Sequence, residues 1–285
     1  MNRFTARLIG GALCATALLA AAQTPTEAPA RQALKVCQDP NNLPFSNTDA
    51  KGFENRIAEL FGRDLGMPVT YYSFPQRLAF IRNTLRYKLP GEDFRCDIVM
   101  GVPDGFDQVS ATKPYYRSTY ALVYAKGVGL DGVKASADLL ALPAARLKSL
   151  RIGVFDRSPA SDWLARHDLV AQGVPYQMMN ADPAQYPGEI IERELAGGKI
   201  DAAIVWGPIA GYFAQRAKPA LRVVPLKSEP GVRFDYPMAM GVRYGEREWK
   251  QQVEGLLESQ RAEIQAILRE FGVPLLEDLP AAAAR

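Results

Sequence analysis

Histidine is almost missing from this 285-residue chain, which has one, His167. A metal centre built from several imidazoles is therefore excluded, and no metal is expected. A Ser-His-Asp relay would have to run through His167, on a helical stretch with Trp163, Asp168 and Leu169 and without a partner spaced to orient it; it reads as a surface or capping residue. There is no G-x-x-x-x-G-K-[S/T] loop and no G-x-G-x-x-G run behind a strand, so nothing cradles a nucleotide and no cofactor is expected. Charge of one sign is also lacking. With 34 Lys and Arg against 31 Asp and Glu, the net charge of +3 is too small to mark a nucleic-acid partner, which would show a clustered basic footprint. Hydrophobic residues, at 48%, are ample for a core, and the length suggests about two domains.

Long apolar runs are confined to the N-terminus. Arg3 and Arg7 precede the stretch Leu8 to Ala22, and Ala20-Ala21-Ala22 offers a small-residue cleavage site before Gln23. Residues 1–22 thus read as a signal peptide and residues 23–32 as a loose Pro/Ala-rich leader, with a periplasmic destination and no membrane span after cleavage. Removing Arg3 and Arg7 lowers the net charge from +3 to +1. Of three cysteines, Cys37 and Cys96 remain in the mature chain. An even count in an oxidising compartment suggests one bridge, which would tie two strands together if these are parallel neighbours; two buried free thiols are the alternative.

The remainder alternates strand and helix patterns. Leu34–Cys37, Val69–Ser73 and Asp97–Val102 read as strands, with helices around Phe53, Ile57, Leu60 and Phe61 and over Gln76–Tyr87, where Leu78, Phe80, Ile81 and Leu85 turn inward. Such an order implies a parallel sheet covered by helices. After the apolar strand Tyr120–Ala125 and a Gly-punctuated connection, a second set follows: strand Arg151–Phe155, helix Ser161–Leu169, strand Tyr176–Met179, helix Gly188–Leu195, strand Asp201–Trp206, helix Ile209–Arg216 and strand Leu221–Pro225. Tyr236–Val242 leads back, and one long amphipathic helix from Trp249 to Leu268 closes the chain. The expectation is an α/β protein with two lobes around a cleft, joined by two crossing segments. Residues 33–121 plus 240–285 form the first lobe and 126–232 the second, so that closure around a ligand is possible.

The polar loop "QDPNNLPFSN" after the first strand presents Asp39, Asn41, Asn42 and Phe45 at the mouth of such a cleft. Asp104 and Asp107 follow the third strand. They could hold a hard cation or act as acid and base, although Pro-Asp and Asp-Gly are also turn chemistry. Ser158 before Pro159 caps a helix whose free amides could bind an anion, or it is an ordinary cap. Phe45, Phe106, Tyr116 and Trp206 are candidate cleft walls; large aromatics of this kind also anchor protein interfaces or pack between lobes. An enzyme on this plan would draw on Glu54, Asp104 or Asp107, but no acid and base stand at a recognisable spacing, and a non-enzyme is expected.

The segments "CQDPNNLPFSN", "GFENRIAEL", "CDIVMGVP", "TKPYYRSTY" and "VWGPIAGYF", spread over nearly all of the mature chain, resemble the type II periplasmic solute-binding proteins and, more narrowly, the MxaJ and XoxJ group. That resemblance implies an accessory of a PQQ-dependent methanol or alcohol dehydrogenase system, binding the dehydrogenase or its c-type cytochrome to support maturation or activation. An ABC-transporter receptor for an unidentified small ligand is the alternative. Amino-acid binders of this fold carry an Arg after the third strand to fork onto the ligand carboxylate. They also carry an Asp at the end of a second-lobe strand for the ammonium. Here those places read Pro103-Asp104-Gly105-Phe106-Asp107-Gln108 and Val205-Trp206-Gly207-Pro208, so the resemblance implies a cleft without the usual charged clamps.

Overall fold

The computed structural model describes residues 31–76, 79–178 and 182–276; the signal peptide, most of the leader, Leu78 and Met179 lie outside the described residues. The first half runs β1 (Leu34–Gln38), the short pair β2 (Asn41–Asn42) and β3 (Ser46–Asn47), α1 (Phe53–Leu65), β4 (Val69–Ser73), α2 (Phe80–Asn83), β5 (Ile98–Pro103) and β6 (Ser110–Ala111). The chain then crosses on β7 (Tyr116–Tyr124). Beyond it come α3 (Ser136–Leu140), α4 (Ala144–Ser149), β8 (Ile152–Phe155), α5 (Pro159–Arg166), β9 (Gly173–Tyr176), β10 (Ala202–Trp206), α6 (Gly207–Arg216) and β11 (Arg222–Pro225). β12 (Asp235–Val242) returns to the first half, where α7 (Arg247–Ser259) and α8 (Arg261–Glu270) close it.

The strands form one curled sheet in the order β4-β1-β5-β12-β7-β10-β8-β9, parallel within each half and antiparallel where the chain crosses. β7 belongs to both halves. Its residues Tyr116 to Thr119 pair with β12, and Tyr120 to Tyr124 pair with β10. The crossing strand therefore begins four residues before the expected Tyr120, at Tyr116. α1 forms because Phe53, Ile57 and Phe61 share one face, and all three are fully buried. Each such side chain contributes roughly 2 kcal/mol by burial. Gly66, at φ 63, stops the helix in a conformation that glycine adopts without strain.

Four expectations are corrected. The second helix shrinks to four residues because Ala79 takes φ 65 ahead of it and the Thr84 hydroxyl, donating to the Phe80 carbonyl at 2.7 Å, turns the chain away behind it. The strand expected at Tyr176–Met179 lies earlier, because β8 holds it in a register that pairs Ile152 with Gly173 and Phe155 with Tyr176. The stretch Ile190–Leu195 is a π-helical turn rather than a regular helix. The closing helix breaks at Gln260, whose N–H ends α7 on the Leu256 carbonyl at 2.9 Å while its side chain reaches Asp64.

Cys37 on β1 forms a disulfide with Cys96, two residues ahead of the parallel neighbour β5, so the free-thiol alternative falls. Closing a loop of 59 residues limits the unfolded chain by about 4 kcal/mol in the chain-entropy account. Opposite the cleft, the two halves are bolted together. Phe271 stacks on Tyr212 with ring centroids 5.6 Å apart and meets Phe53 edge-on at 6.0 Å. The Ser118 hydroxyl donates to the Pro274 carbonyl at 2.7 Å, and the Gln215 amide donates to the Glu270 carbonyl at 3.1 Å. One hydrophobic cluster consequently spans both halves, from Phe53 and Met240 to Ile209, Phe213 and Phe271.

The bolt depends on a backbone approach at Gly211, where a Cβ would stand 1.7 Å from the Gly272 carbonyl oxygen. Gly211→Ala is expected to lower stability by about 2–3 kcal/mol through this overpacking, read as an earlier urea midpoint. An unchanged midpoint would show that the approach carries no weight.

Candidate functional site

The cleft loop is built from its own polar groups. One Asp39 carboxylate oxygen accepts the Asn41 N–H at 2.8 Å and the other accepts the Gln76 N–H. The Ser46 hydroxyl accepts the Asp39 N–H at 3.2 Å and donates to the Asp39 carbonyl at 2.9 Å. The Asn55 carbonyl oxygen accepts the N–H groups of Gly52 and Asn47, and its amide donates to the Gln38 side chain at 2.7 Å, fastening the loop to α1 and β1. Phe45 packs edge-on against Phe53 at 5.3 Å. The Asn42 amide donates to the Gln76 side chain at 2.9 Å, while its buried carbonyl oxygen has no partner among the described residues. Asp39, Asn42 and Phe45 are thus engaged in shaping the loop.

Asn41 reaches outward instead. Its side-chain amide donates to the carbonyl oxygens of Pro183 and Ala184, each at 3.1 Å, on the segment that follows β9. It latches the first half to the second across the cleft.

Between latch and bolt lies a cavity of about 390 Å³. Gln76 and Pro103 line it from the first half, and Tyr120, Tyr236 and Met238 from the crossing strands. Phe155, Met178, Pro187, Trp206 and Ile209 complete it from the second half. None of these residues carries a charge. Trp206 meets Tyr120 at 5.6 Å and Tyr236 at 5.9 Å, so three aromatic rings form one wall. A second hollow of about 260 Å³ adjoins it through Phe155, Met178 and Pro187.

Of the residues singled out from sequence, Trp206 lines the cavity. Asp104 and Asp107 are exposed on the turn after β5. Phe106 packs beside the disulfide cluster. Tyr116 is buried against Phe53 and Tyr115, and its hydroxyl has no partner among the described residues. Ser158 is an N-cap in a reciprocal arrangement with Ser161, and its hydroxyl also donates to the Phe155 carbonyl at 2.6 Å. His167 Nε2 is 2.7 Å from a Glu229 carboxylate oxygen, within hydrogen-bond distance, and the ring lies beside Trp163. Tyr120, Tyr236, Phe155 and Met238 escaped the sequence reading because they sit in apolar strands, where a lining residue looks like any core residue.

Glu54, in the first turn of α1, projects over Gly101, where a Cβ would lie 2.4 Å from its carboxyl oxygen. A β-bulge between Val99 and Val102 makes that room. Burial, and after it the nearby Asp39 carboxylate, pushes the Glu54 pKa up to about 8. The folded protein therefore keeps the Glu54 proton to about pH 8, whereas the unfolded chain releases it near 4.5, and stability declines as pH rises between those values. Glu54→Gln should melt higher than the parent above pH 8, with the difference vanishing toward pH 4.5. A pH-independent difference would contradict a buried, protonated Glu54. In the same site, Asn41→Asp would set a carboxylate against two carbonyl oxygens. It should cost about 1–2 kcal/mol and increase the radius of gyration in X-ray scattering; an unchanged radius would show that the latch does not hold the cleft.

No protein-family model matches the chain. It is 28% identical to the protein MoxJ of Paracoccus denitrificans over 85% of this chain and 89% of that protein. It is also 28% identical to MoxJ of Methylorubrum extorquens AM1, over 85% and 81%. Among solved structures, the periplasmic binding protein XoxJ of Methylobacterium extorquens AM1 is 36% identical, with a TM-score of 0.68 over 86% of this chain and the whole of XoxJ. MxaJ of Methylophaga aminisulfidivorans MPT is 25% identical, with a TM-score of 0.70 over 86% of this chain and all of that one. An ancestral cationic amino-acid-binding protein, at 20% identity and a TM-score of 0.63, shares the fold alone. The curled sheet with two crossing strands is that of the type II periplasmic binding proteins, and the likeness to XoxJ over its full length shows that this chain belongs to the XoxJ and MxaJ family.

Proposed function

We propose that this protein is a periplasmic accessory of a PQQ-dependent methanol or alcohol dehydrogenase system, binding the dehydrogenase or its c-type cytochrome to support maturation or activation. The observation that carries this reading is the character of the cleft. Its relatives are the J proteins of methanol oxidation, yet its cavity has, among the described lining residues, no charged group to clamp an amino acid, and its polar loop is engaged in holding itself together. The signal peptide expected at residues 1–22 would carry the protein to the periplasm, and among the described residues no helix is long and apolar enough to cross a membrane. We assign the two lobes to residues 33–121 plus 240–285 and 126–232, with β7 and β12 as the crossings.

A second reading, a transporter receptor for a small ligand, draws on the open cavity of about 390 Å³, a size usual for small-molecule sites. The two readings separate in a pull-down from purified components. The accessory reading expects the mature protein to retain the dehydrogenase, apo or holo, or the cytochrome at both low and moderate salt. Absence of a complex with all three would overturn it.

A further inference from the structure

Beyond partner binding, we infer that the cavity between latch and bolt takes one uncharged aromatic molecule. The inference goes beyond the accessory role and specifies what the cleft accepts. Two features decide the class. The first is the wall: Trp206 stands edge-to-face with both Tyr120 and Tyr236, leaving a concave surface of rings, with Met178 and Met238 contributing deformable sides. The volume of about 390 Å³ exceeds the roughly 150 Å³ that suffices for benzene in an apolar cavity, so one or two fused rings fit.

The second feature is charge. An anion entering the cavity would shed its water and meet no cation among the described lining residues. A cation would find aromatic faces, but the Arg233 guanidinium already lies 4.6 Å from the Tyr236 ring centroid and places a like charge behind the cage. A neutral ring meets neither penalty. The shared core and the Asn41 latch fix the spacing of the walls, so little ordering opposes binding.

Three probes of the same ring and nearly the same size test the inference on the isolated mature protein: benzyl alcohol, benzoate and benzylammonium. Benzyl alcohol should raise the melting temperature and perturb tryptophan fluorescence, with the two ions binding at least about tenfold more weakly. Met178→Trp, which fills the cavity from a solvent-accessible position, should abolish the benzyl alcohol response while the protein still melts cooperatively; Trp206→Ala should weaken it. Equal or tighter binding of either ion, no response to benzyl alcohol, or a response that survives Met178→Trp unchanged would each overturn the inference. The dehydrogenase is absent from this experiment. Its result therefore stands apart from the pull-down: a complex without benzyl alcohol binding removes this inference alone, and the reverse removes only the accessory role.

Discussion

Two glycines in backbone contact hold this molecule's shape. Gly211 on α6 and Gly272 after α8 come close enough that neither halves' helix could approach so near with any side chain between them, and around that point Phe271 stacks on Tyr212 and abuts Phe53. The consequence is a core that ignores the boundary between lobes. A flytrap hinged on two strands can open by twisting them. Here a third connection, running from Phe271 to Leu276 along β7, stiffens the hinge side, with the Leu276 N–H donating to the Arg117 carbonyl at 3.0 Å.

The same constraint explains the economy of the cleft loop. With the lobes held from behind, the loop after β1 need not draw them together through a ligand. Its carboxylate, hydroxyl and amides satisfy one another and the start of α1, and a single side chain, Asn41, spans to the far side. Asp39 is buried, and both of its carboxylate oxygens accept backbone N–H groups that fix the loop.

At the strand ends this chain presents aromatic and sulfur-containing side chains to the cavity. A shared scaffold does not carry a shared ligand, because the scaffold is set by sheet order and helix packing while the ligand is set by the few residues at the strand ends. Buried carboxyl and phenol groups near the loop, Glu54 and Tyr116, remain neutral here because burial disfavours their charged forms.

By itself the sequence determined the alternation of strands and helices, the two-part α/β plan, the inward face of α1 and the absence of a charged clamp. These depend on local periodicity and on which residue types are present at all. The pairing of Cys37 with Cys96 was legible as a possibility, since an even count suggests a bridge, but only the parallel neighbourhood of β1 and β5 settled it. Helix ends at Ala79, Thr84 and Gln260 escaped because each turns on one residue's dihedral angle or a side-chain bond, which periodicity does not record. Among the candidate residues, Asp104 and Asp107 carried turn chemistry and Ser158 the look of an ordinary cap beside their functional readings; tertiary structure places the two acids on an exposed turn, Ser158 at an N-cap and Phe106 beside the disulfide cluster. The cavity itself was decided only in three dimensions. Its walls come from strand ends and loops far apart in the chain, and an apolar residue facing a cavity carries the same local signal as one facing a core.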